Sequence, residues 1–324
     1  MNWNKNQERI INSFTNLQSP VPNPAQQRIG LIAGGGRFPI LFAQEAKRMG
    51  RKVVAIGIKG VTSPDLEGEV EKIQCFRLGQ LTKPIAFLRE FGVAQAVMAG
   101  KVQHGSLFGG ILPDARAFKI LARLKDRRTD SILGEIAEEF AKEGIQLLSS
   151  ATFLSHLIPH KGVLTGRKPT ATEKEDIKLG WRVAKNLSGL DVGQTVVVKE
   201  GTVVAVEGME GTDACILRAS EIVAQYAIRN TQYVKKNEDL QNTNRLSRIS
   251  NRDLVVVKVA KPKQDFRFDL PVLGADTIET LRRAEVRVVA IEAGKSLILD
   301  QDHFIKEANE LGTTVVAIEG EEIS

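Results

Sequence analysis

The chain has 324 residues, of which 42% are apolar and 26% charged, and its formal net charge is +6. This length favours two domains, and the composition is that of a globular protein rather than a disordered or collagen-like one. Its two cysteines, Cys75 and Cys215, argue against a disulfide framework and against a cysteine zinc site. The positive charge favours an anionic partner, but no nucleic-acid-binding motif accompanies it, so we predict no nucleic-acid partner.

The first residues, 1–27, are predicted to form a flexible N-terminal extension. Three prolines within Ser19–Pro24 are incompatible with a helix there. Before them, Ile10, Phe14 and Leu17 fall at helical spacing, which leaves a short amphipathic anchor open as an alternative. No apolar run approaches the roughly 20 residues of a membrane span, and the reduced cysteines fit the cytoplasm, where we expect the protein to reside.

Strands and helices alternate over residues 28–158. Because strands separated by helices form βαβ units, this segment is predicted to be a Rossmann-like, nucleotide-binding α/β domain with a parallel sheet. Its predicted strands are 29–33, 52–58, 73–77, 94–99 and 145–148, and its predicted helices are 38–49, 82–91, 114–124 and 131–143.

Residues 159–171, with two prolines and two glycines, are predicted to be a hinge or linker. Residues 172–324 are predicted to be a second α/β domain with a mixed sheet, carrying an exposed insertion at 229–253. Thr172 and Glu175 fit a capping box at the start of the first helix. The other predicted elements are a hairpin of 195–199 and 202–206, helices at 213–226, 278–284 and 302–311, and strands at 254–260, 287–292 and 313–318.

A glycine turn follows the first strand. Gly34, Gly35 and Gly36 precede Arg37 and Phe38, which open a helix, and such a turn allows close approach of a phosphate. A dinucleotide fingerprint would require a third spaced glycine, where the chain has proline, and an acid after the second strand, which is absent. The turn therefore indicates nucleotide binding, with a tight structural turn as the alternative. A second basic turn, Lys101 and Val102, follows a later strand and is placed to meet a phosphate.

Two later segments carry candidate catalytic chemistry. Residues 207–213 place three carboxylates among glycines, and oxygen ligands of this kind suit magnesium. The structural alternative is that Thr212 or Asp213 is merely an N-cap. Residues 258–271 mix cations that would clamp a pyrophosphate with two aspartates, although a solvated loop would have the same composition. No phosphate-binding P-loop, HExxH motif or GxSxG elbow is present in the sequence.

An ordered set of short motifs extends along the chain. In the C-terminal half these are Leu164-Thr165, Pro169-Thr170, Asp176-Ile177, residues 193–198, Ala205-Val206-Glu207, residues 210–213, Lys258, Lys261-Pro262, Gln264-Asp265, residues 267–271, Gly274, residues 292–294 and Asp300. Together with the two N-terminal turns, they resemble the LpxI-type UDP-2,3-diacylglucosamine pyrophosphohydrolase family of lipid A biosynthesis. The resemblance covers roughly residues 28–320 apart from the insertion.

The resemblance implies hydrolysis of UDP-2,3-diacylglucosamine to UMP and 2,3-diacylglucosamine 1-phosphate. It also implies dependence on magnesium or manganese, a homodimer, and a catalytic aspartate at Asp213. Two departures concern the N-terminal half. His104 stands where the family usually has arginine, and Thr129-Asp130-Ser131 has lost the first acid of a paired-aspartate motif.

From these observations we assign provisional roles. The catalytic set is Asp213, Thr212, Lys258 and Arg267, and the metal ligands are Asp213 with Glu210 or Asp269. The substrate-binding set is Gly34, Gly35, Gly36, Arg37, Phe38, Lys101, Val102, Asp130, Thr165, Lys261, Gln264 and Pro271. Because the implied substrate is a lipid, we expect transient peripheral contact with the anionic inner-membrane leaflet. The alternatives are an NAD(P)-binding oxidoreductase and a non-catalytic binder of a nucleotide-linked or acylated ligand.

Overall fold

A computed structural model describes residues 27–102, 113–124, 129–236, 253–262 and 264–320. The predicted extension, apart from Gln27, therefore lies outside the described residues. The chain divides into two compact units. The first runs to His156 and includes Asp265–Asp269, and the second comprises Leu157–Gln264 and Leu270 onward.

The first unit contains a five-stranded parallel sheet in the order β3-β2-β1-β4-β5. The three central strands are rich in Val, Ile and Ala and mostly buried, as expected for strands covered on both faces, whereas the edge strand β3 is largely exposed. The strands are β1 (Arg28–Ala33), β2 (Lys52–Ile58), β3 (Lys72–Phe76), β4 (Gln95–Ala99) and β5 (Gln146–Leu147), and the helices are α1 (Phe38–Arg48), α2 (Thr82–Glu90), α3 (Ala115–Arg123) and α4 (Thr129–Lys142), with 3-10 turns at Pro64–Glu69 and Ser155–Leu157.

The core of this unit forms where helices pack on the sheet. Val54 and Ile56 of β2 are buried against Ile85 and Leu88 of α2 and Phe140 of α4. The strand order reverses between β1 and β4, which is where ligands bind in open α/β sheets. The predicted parallel sheet is thus confirmed, and it places both glycine-containing turns at its carboxyl edge.

The second unit contains a six-stranded mixed sheet in the order β6-β13-β11-β9-β7-β8. Strands β9, β11 and β13 are parallel to one another, whereas β7 is antiparallel to both of its neighbours, β8 and β9. Its elements are β6 (Gly162–Val163), α5 (Ala171–Gly189), β7 (Thr195–Lys199), β8 (Thr202–Val206), α6 (Thr212–Lys236), β9 (Val255–Lys258), β10 (Val272–Leu273), α7 (Ala275–Arg283), β11 (Val288–Glu292), β12 (Leu297–Ile298), α8 (Gln301–Leu311) and β13 (Thr314–Ile318).

Both faces of this sheet are covered. Val197 and Val256 face a core shared with α6, α7 and α8, whereas Val196 and Val257 face α5. Helix α5 packs closely because Gly180 carries no side chain, and a Cβ there would lie 2.6 Å from Val257 Cγ2. The α/β fold class with a mixed second sheet is therefore confirmed.

Two local predictions in this unit require correction. The capping box of α5 is formed by Thr170 and Glu173, not by Thr172 and Glu175. Both pairs have the same spacing, and Arg167 selects the earlier one by pairing with Glu173. Helix α6 also continues to Lys236, so the start of the stretch assigned to an exposed insertion at 229–253 is helical. Residues 237–252 lie outside the described residues.

The hairpin of β7 and β8 matches its predicted bounds. Glu200 and Gly201 form its turn with positive φ values of 45° and 75°, as a two-residue type I′ turn requires. Buried Asp176 of α5 accepts hydrogen bonds from the N–H groups of both turn residues, at 3.0 and 2.7 Å. The turn end of the hairpin is therefore anchored by a carboxylate.

Candidate active site

Several polar side chains meet at the carboxyl edge of the second sheet. Lys258 and Glu292 are the last residues of β9 and β11, and both are buried. Strand β8 ends at the same edge and leads directly to Glu207, which is 8% exposed. Helix α6 then begins at Thr212. Buried polar groups at this edge are expected where an α/β protein binds its ligand.

The Thr212 hydroxyl is within hydrogen-bond distance of three other side chains, those of Thr195, Lys258 and Glu207. Thr195 and Lys258 are partners in the antiparallel β7–β9 ladder, so their side chains lie on the same face. Lys258 Nζ donates to Thr212 Oγ1 at 3.0 Å, and Thr195 Oγ1 lies 3.2 Å from the same atom. Thr212 Oγ1 in turn donates to Glu207 Oε1 at 3.1 Å. These four residues form what we call the Thr212 cluster.

Glu207 is fixed in this cluster by its backbone as well as by its carboxylate. Its N–H donates to Thr195 O at 2.8 Å, and its Oε2 accepts from Gln194 N at 3.2 Å. Gly193 packs so closely that a Cβ there would lie 2.1 Å from Glu207 O. Any other residue at 193 would displace Glu207, so this glycine has a packing function.

Asp213 follows Thr212 in the first turn of α6 and is partly buried. The first helical hydrogen bond runs from Cys215 N to Gly211 O, which makes Gly211 the N-cap. The N-cap alternative for Thr212 and Asp213 is therefore not what the structure shows. An aspartate in the first turn is favoured by the helix dipole, and the same end of the helix attracts an anionic ligand.

Glu210 is engaged in a different way. One carboxylate oxygen accepts from Arg218 and the other from Gly208 N. The hydrogen bond from Arg218 holds the pKa of Glu210 below its ordinary value. A metal ion would have to compete with the Arg218 guanidinium for this exposed carboxylate.

Lys261 and Gln264 lie in the turn after β9. Lys261 pairs with Asp191 at 2.8 Å, and its N–H donates to Gln264 Oε1 at 2.5 Å. Gln264 Nε2 is buried, and within the described part of the chain no hydrogen-bond partner reaches it. This amide is a candidate donor to a substrate. Pro271, which follows a few residues later in the sequence, is buried, and its carbonyl oxygen accepts a hydrogen bond from Leu297 N.

The glycine turn of the first unit has a more specific geometry than the sequence suggested. The N–H groups of Gly34 and Gly35 donate to Ala99 O and Lys101 O, each at 2.8 Å. A Cβ on Gly34 would lie 2.8 Å from the backbone of the second turn. These two glycines therefore serve backbone packing, and only Gly36, with φ of +85° and open space around it, suits close approach of a ligand.

The remaining N-terminal candidates differ in accessibility. Arg37 and Lys101 are exposed at the carboxyl edge, whereas Phe38 is buried in the first turn of α1 and Val102 is partly buried. Helix α1 has no acidic residue in its first turn, which is compatible with an anionic ligand. Asp130 belongs to the first turn of α4, and its side chain lies outside the described residues.

Arg267 and Asp269 belong to the segment that the structure groups with the first unit, although the sequence analysis assigned residues 172–324 to one domain. Arg267 forms a bidentate pair with Asp265, which lowers the pKa of that carboxyl. Phe266 O accepts hydrogen bonds from Ser150 N and Oγ at 2.8 and 3.0 Å. Phe268 packs on the first core. These contacts explain why the segment departs from its sequence neighbours.

Thr165 is not part of the Thr212 cluster. It is 8% exposed, and its hydroxyl accepts from Val315 N at 3.0 Å near the start of β13. That position is the amino edge of the sheet, opposite the edge that carries Lys258. Thr165 therefore braces the start of β13 and lies at the opposite edge of the sheet from Lys258.

A magnesium ion would require oxygen donors from the residues of this site. The described residues contain no group of three or more His, Cys, Asp or Glu side chains arranged to share a metal ion. Magnesium, however, usually binds through one or two carboxylates together with substrate phosphates. Asp213, an oxygen donor at a helix N-terminus, fits that mode, whereas a site made only of protein carboxylates does not fit the described residues.

The sequence matches two family models in tandem. The model described as the LpxI N-terminal domain matches residues 28–157, and the one described as the LpxI C-terminal domain matches residues 160–316. The chain belongs to the LpxI family. The resemblance inferred from the short motifs is thereby confirmed, and LpxI membership favours the hydrolase interpretation over an oxidoreductase.

One relative within the LpxI family is the UDP-2,3-diacylglucosamine pyrophosphatase LpxI of Caulobacter vibrioides. It is 30% identical over 303 residues, covering 91% of this chain and 99% of the relative. Among solved structures, a Hydrogenobacter thermophilus 2-oxoglutarate carboxylase biotin carboxylase domain (10% identity, 61% of this chain, 41% of that chain) has a TM-score of 0.24. A Lactobacillus jensenii D-lactate dehydrogenase (18% identity, 43% and 58%) has a TM-score of 0.15. Scores this low support no argument.

Sequence reasoning gave no role to Glu207 beyond its place among three carboxylates, and none to Thr195. Glu292 was also missed as a buried anchor. It accepts from Lys185 Nζ at 2.5 Å and from Ala260 N at 2.9 Å, which braces the end of β9. The signal that would have found Thr195 is the register of β7 and β9, because that register brings Thr195 opposite Lys258.

Proposed function

We propose that this chain hydrolyses the pyrophosphate bond of UDP-2,3-diacylglucosamine to UMP and 2,3-diacylglucosamine 1-phosphate. The observation that carries the proposal is the match of both halves of the chain to the two LpxI domains, which includes the segment with Asp213. The relative from Caulobacter vibrioides carries that pyrophosphatase name and aligns over nearly its full length.

The proposed roles of the residues follow from their chemistry. Asp213 is the principal catalytic carboxylate. Lys258, whose ammonium is buried beside Thr212, stabilises negative charge that develops on the phosphoryl oxygens. A single preorganised contact of this kind is typically worth about 3 kcal/mol of barrier. In the second unit, Lys261 and Gln264 contribute contacts to the diphosphate. In the first unit, the Gly36 turn and Lys101 contribute contacts to the nucleotide, and Arg267 is the further cation proposed for that unit.

We propose magnesium, with manganese as a substitute, as the cofactor. Asp213 would hold the ion together with the substrate's diphosphate, and when bound the ion would neutralise phosphate charge. We rank Glu210 below Asp213 as a ligand because Arg218 already binds its carboxylate. Asp269 remains a candidate ligand from the sequence motif.

We also propose transient contact with an anionic membrane leaflet, because the substrate carries two acyl chains. None of the helices in the described ranges is long and apolar enough to cross a membrane. Helix α3 offers a surface for peripheral contact. Phe118 and Leu121 are 63% and 46% exposed, and the exposed Lys119 and Arg123 adjoin them. Apolar side chains beside lysine and arginine suit an anionic lipid surface.

The decisive experiment measures UMP release from UDP-2,3-diacylglucosamine by the purified full chain, with magnesium and with excess EDTA. We expect turnover with magnesium and its loss with EDTA. Absence of turnover from folded protein with magnesium or manganese would instead favour a binding protein. Light scattering of the same sample tests the homodimer that the family resemblance implies.

A further inference from the structure

We infer that Glu207 is a positioning residue that holds Thr212 and Lys258 in place at the start of α6. The inference rests on the proposed function, because the reaction supplies the readout. The Glu207 side chain is buried, and both of its carboxylate oxygens accept hydrogen bonds from protein groups. We therefore give Glu207 no contact with the substrate.

The direction of each hydrogen bond in the Thr212 cluster follows from the available protons. A lysine ammonium only donates and an ionised carboxylate only accepts. The single hydroxyl proton of Thr212 is therefore directed to Glu207 Oε1, and its lone pairs accept from Lys258 Nζ. Thr195 must then donate to Thr212. Glu207 thus orients the Thr212 hydroxyl so that it presents only lone pairs to Lys258.

The same carboxylate joins two chain segments that converge on the site. Its Oε2 accepts from Gln194 N, just before β7, while its Oε1 accepts from Thr212 at the start of α6. Asp213 follows Thr212 directly. Glu207 therefore sets the position of Asp213 relative to β7 and β9, and a shift of about 1 Å in such a group can lower the rate roughly 100-fold.

The test is Glu207→Gln. The amide retains the shape of the carboxylate but has only one acceptor oxygen. If that oxygen accepts from Thr212, the amide NH2 faces the N–H of Gln194. In the reverse orientation the NH2 donates to Thr212, whose own proton must then turn away from residue 207 toward Thr195 Oγ1. We expect kcat to fall roughly 10-fold or more while KM changes less than about 3-fold, because the reacting geometry is altered without loss of a substrate contact.

Asp176→Asn is the matched control. Asp176 is also a buried carboxylate that anchors the β7–β8 hairpin, but it binds the turn at the opposite end. This variant should lose thermal stability and retain the kcat of the wild-type protein. If both variants lose kcat alike, Glu207 has only a structural effect on the hairpin.

A second pair of variants tests the route through Thr212. Thr212→Val should lower kcat, and Thr212→Ser should restore most of the loss because the hydroxyl returns. The double variant Glu207→Gln/Thr212→Val should fall no further than Thr212→Val alone, since both remove one interaction. A kcat for Glu207→Gln equal to that of the wild type would overturn the inference alone, whereas inactive wild-type protein would overturn the proposed function.

Discussion

Thr195 and Lys258 stand opposite each other across the β7–β9 ladder, and both side chains reach the hydroxyl of Thr212 at the start of α6. The register of the β7–β9 ladder thus brings Thr195 and Lys258 together at the N-terminus of α6. Because Asp213 follows Thr212, the pairing of β7 with β9 determines where the proposed catalytic carboxylate lies.

Lys258→Met should lower kcat/KM by about 100-fold to 1000-fold, because the variant retains the aliphatic stem and loses the ammonium. UMP release by the purified variant measures the effect. Lys199→Met is the control, since Lys199 lies at the other end of β7 and pairs with Asp253. Equal activity of the two variants would contradict the role given to Lys258.

Asp213→Asn should reduce magnesium-dependent UMP release to background, because the amide lacks the charge to hold a cation or take up a proton. Glu210→Gln should reduce it less, since Arg218 already neutralises Glu210 in the folded protein. Steady-state assays over a range of magnesium concentrations compare the two. Turnover that persists in Asp213→Asn would remove Asp213 from the site.

Gly34→Ala should destabilise the first unit by about 1–3 kcal/mol, the usual cost of overpacking. Its Cβ would lie 2.8 Å from Gly100 C and from Lys101 O, and backbone cannot yield as a flexible side chain does. Gly68→Ala is the control because nothing lies within 4 Å of its added Cβ. Urea denaturation measures both, and an unchanged midpoint for Gly34→Ala would show that the two turns separate easily.

The two thiols should differ in reactivity. Burial raises the pKa of the Cys215 thiol to about 12, so at pH 8 it remains protonated and unreactive. Cys75 is exposed. Titration with a chromogenic disulfide reagent should label one thiol per folded chain at pH 8 and two in denaturant. Rapid labelling of both thiols in the folded protein would show that the core around Cys215 opens readily.

Phe118→Ser/Leu121→Ser should reduce flotation with liposomes that contain anionic lipid, because burial of such side chains is worth roughly 1.5–3 kcal/mol each. Leu190→Ser/Val192→Ser is the control, since these residues are similarly exposed on the second unit. Flotation of the wild type should decrease as salt is added. Equal flotation of both double variants would place membrane contact elsewhere.

The sequence alone determined the α/β class, the bounds of the β7–β8 hairpin and the family. Each depends on local order along the chain, namely strand–helix alternation, Glu200-Gly201 between two valine-rich runs, and motifs in a fixed sequence. Local sequence patterns were insufficient where two neighbouring segments fitted the same motif equally well. Thr170 and Thr172 both begin a capping-box pattern, and only the contact of Arg167 with Glu173 distinguishes them.

Only the tertiary structure decided which candidate residues are neighbours. Thr165 braces the amino edge of the sheet that carries Lys258 at its carboxyl edge, whereas Thr195 and Lys258, which are distant in sequence, meet at Thr212 beside Glu207. Likewise, the N–H groups of Gly34 and Gly35 donate to the carbonyl oxygens of Ala99 and Lys101, at the end of β4 and in the turn after it. Strand pairing and close packing join residues far apart in the chain, and no short motif encodes those distances.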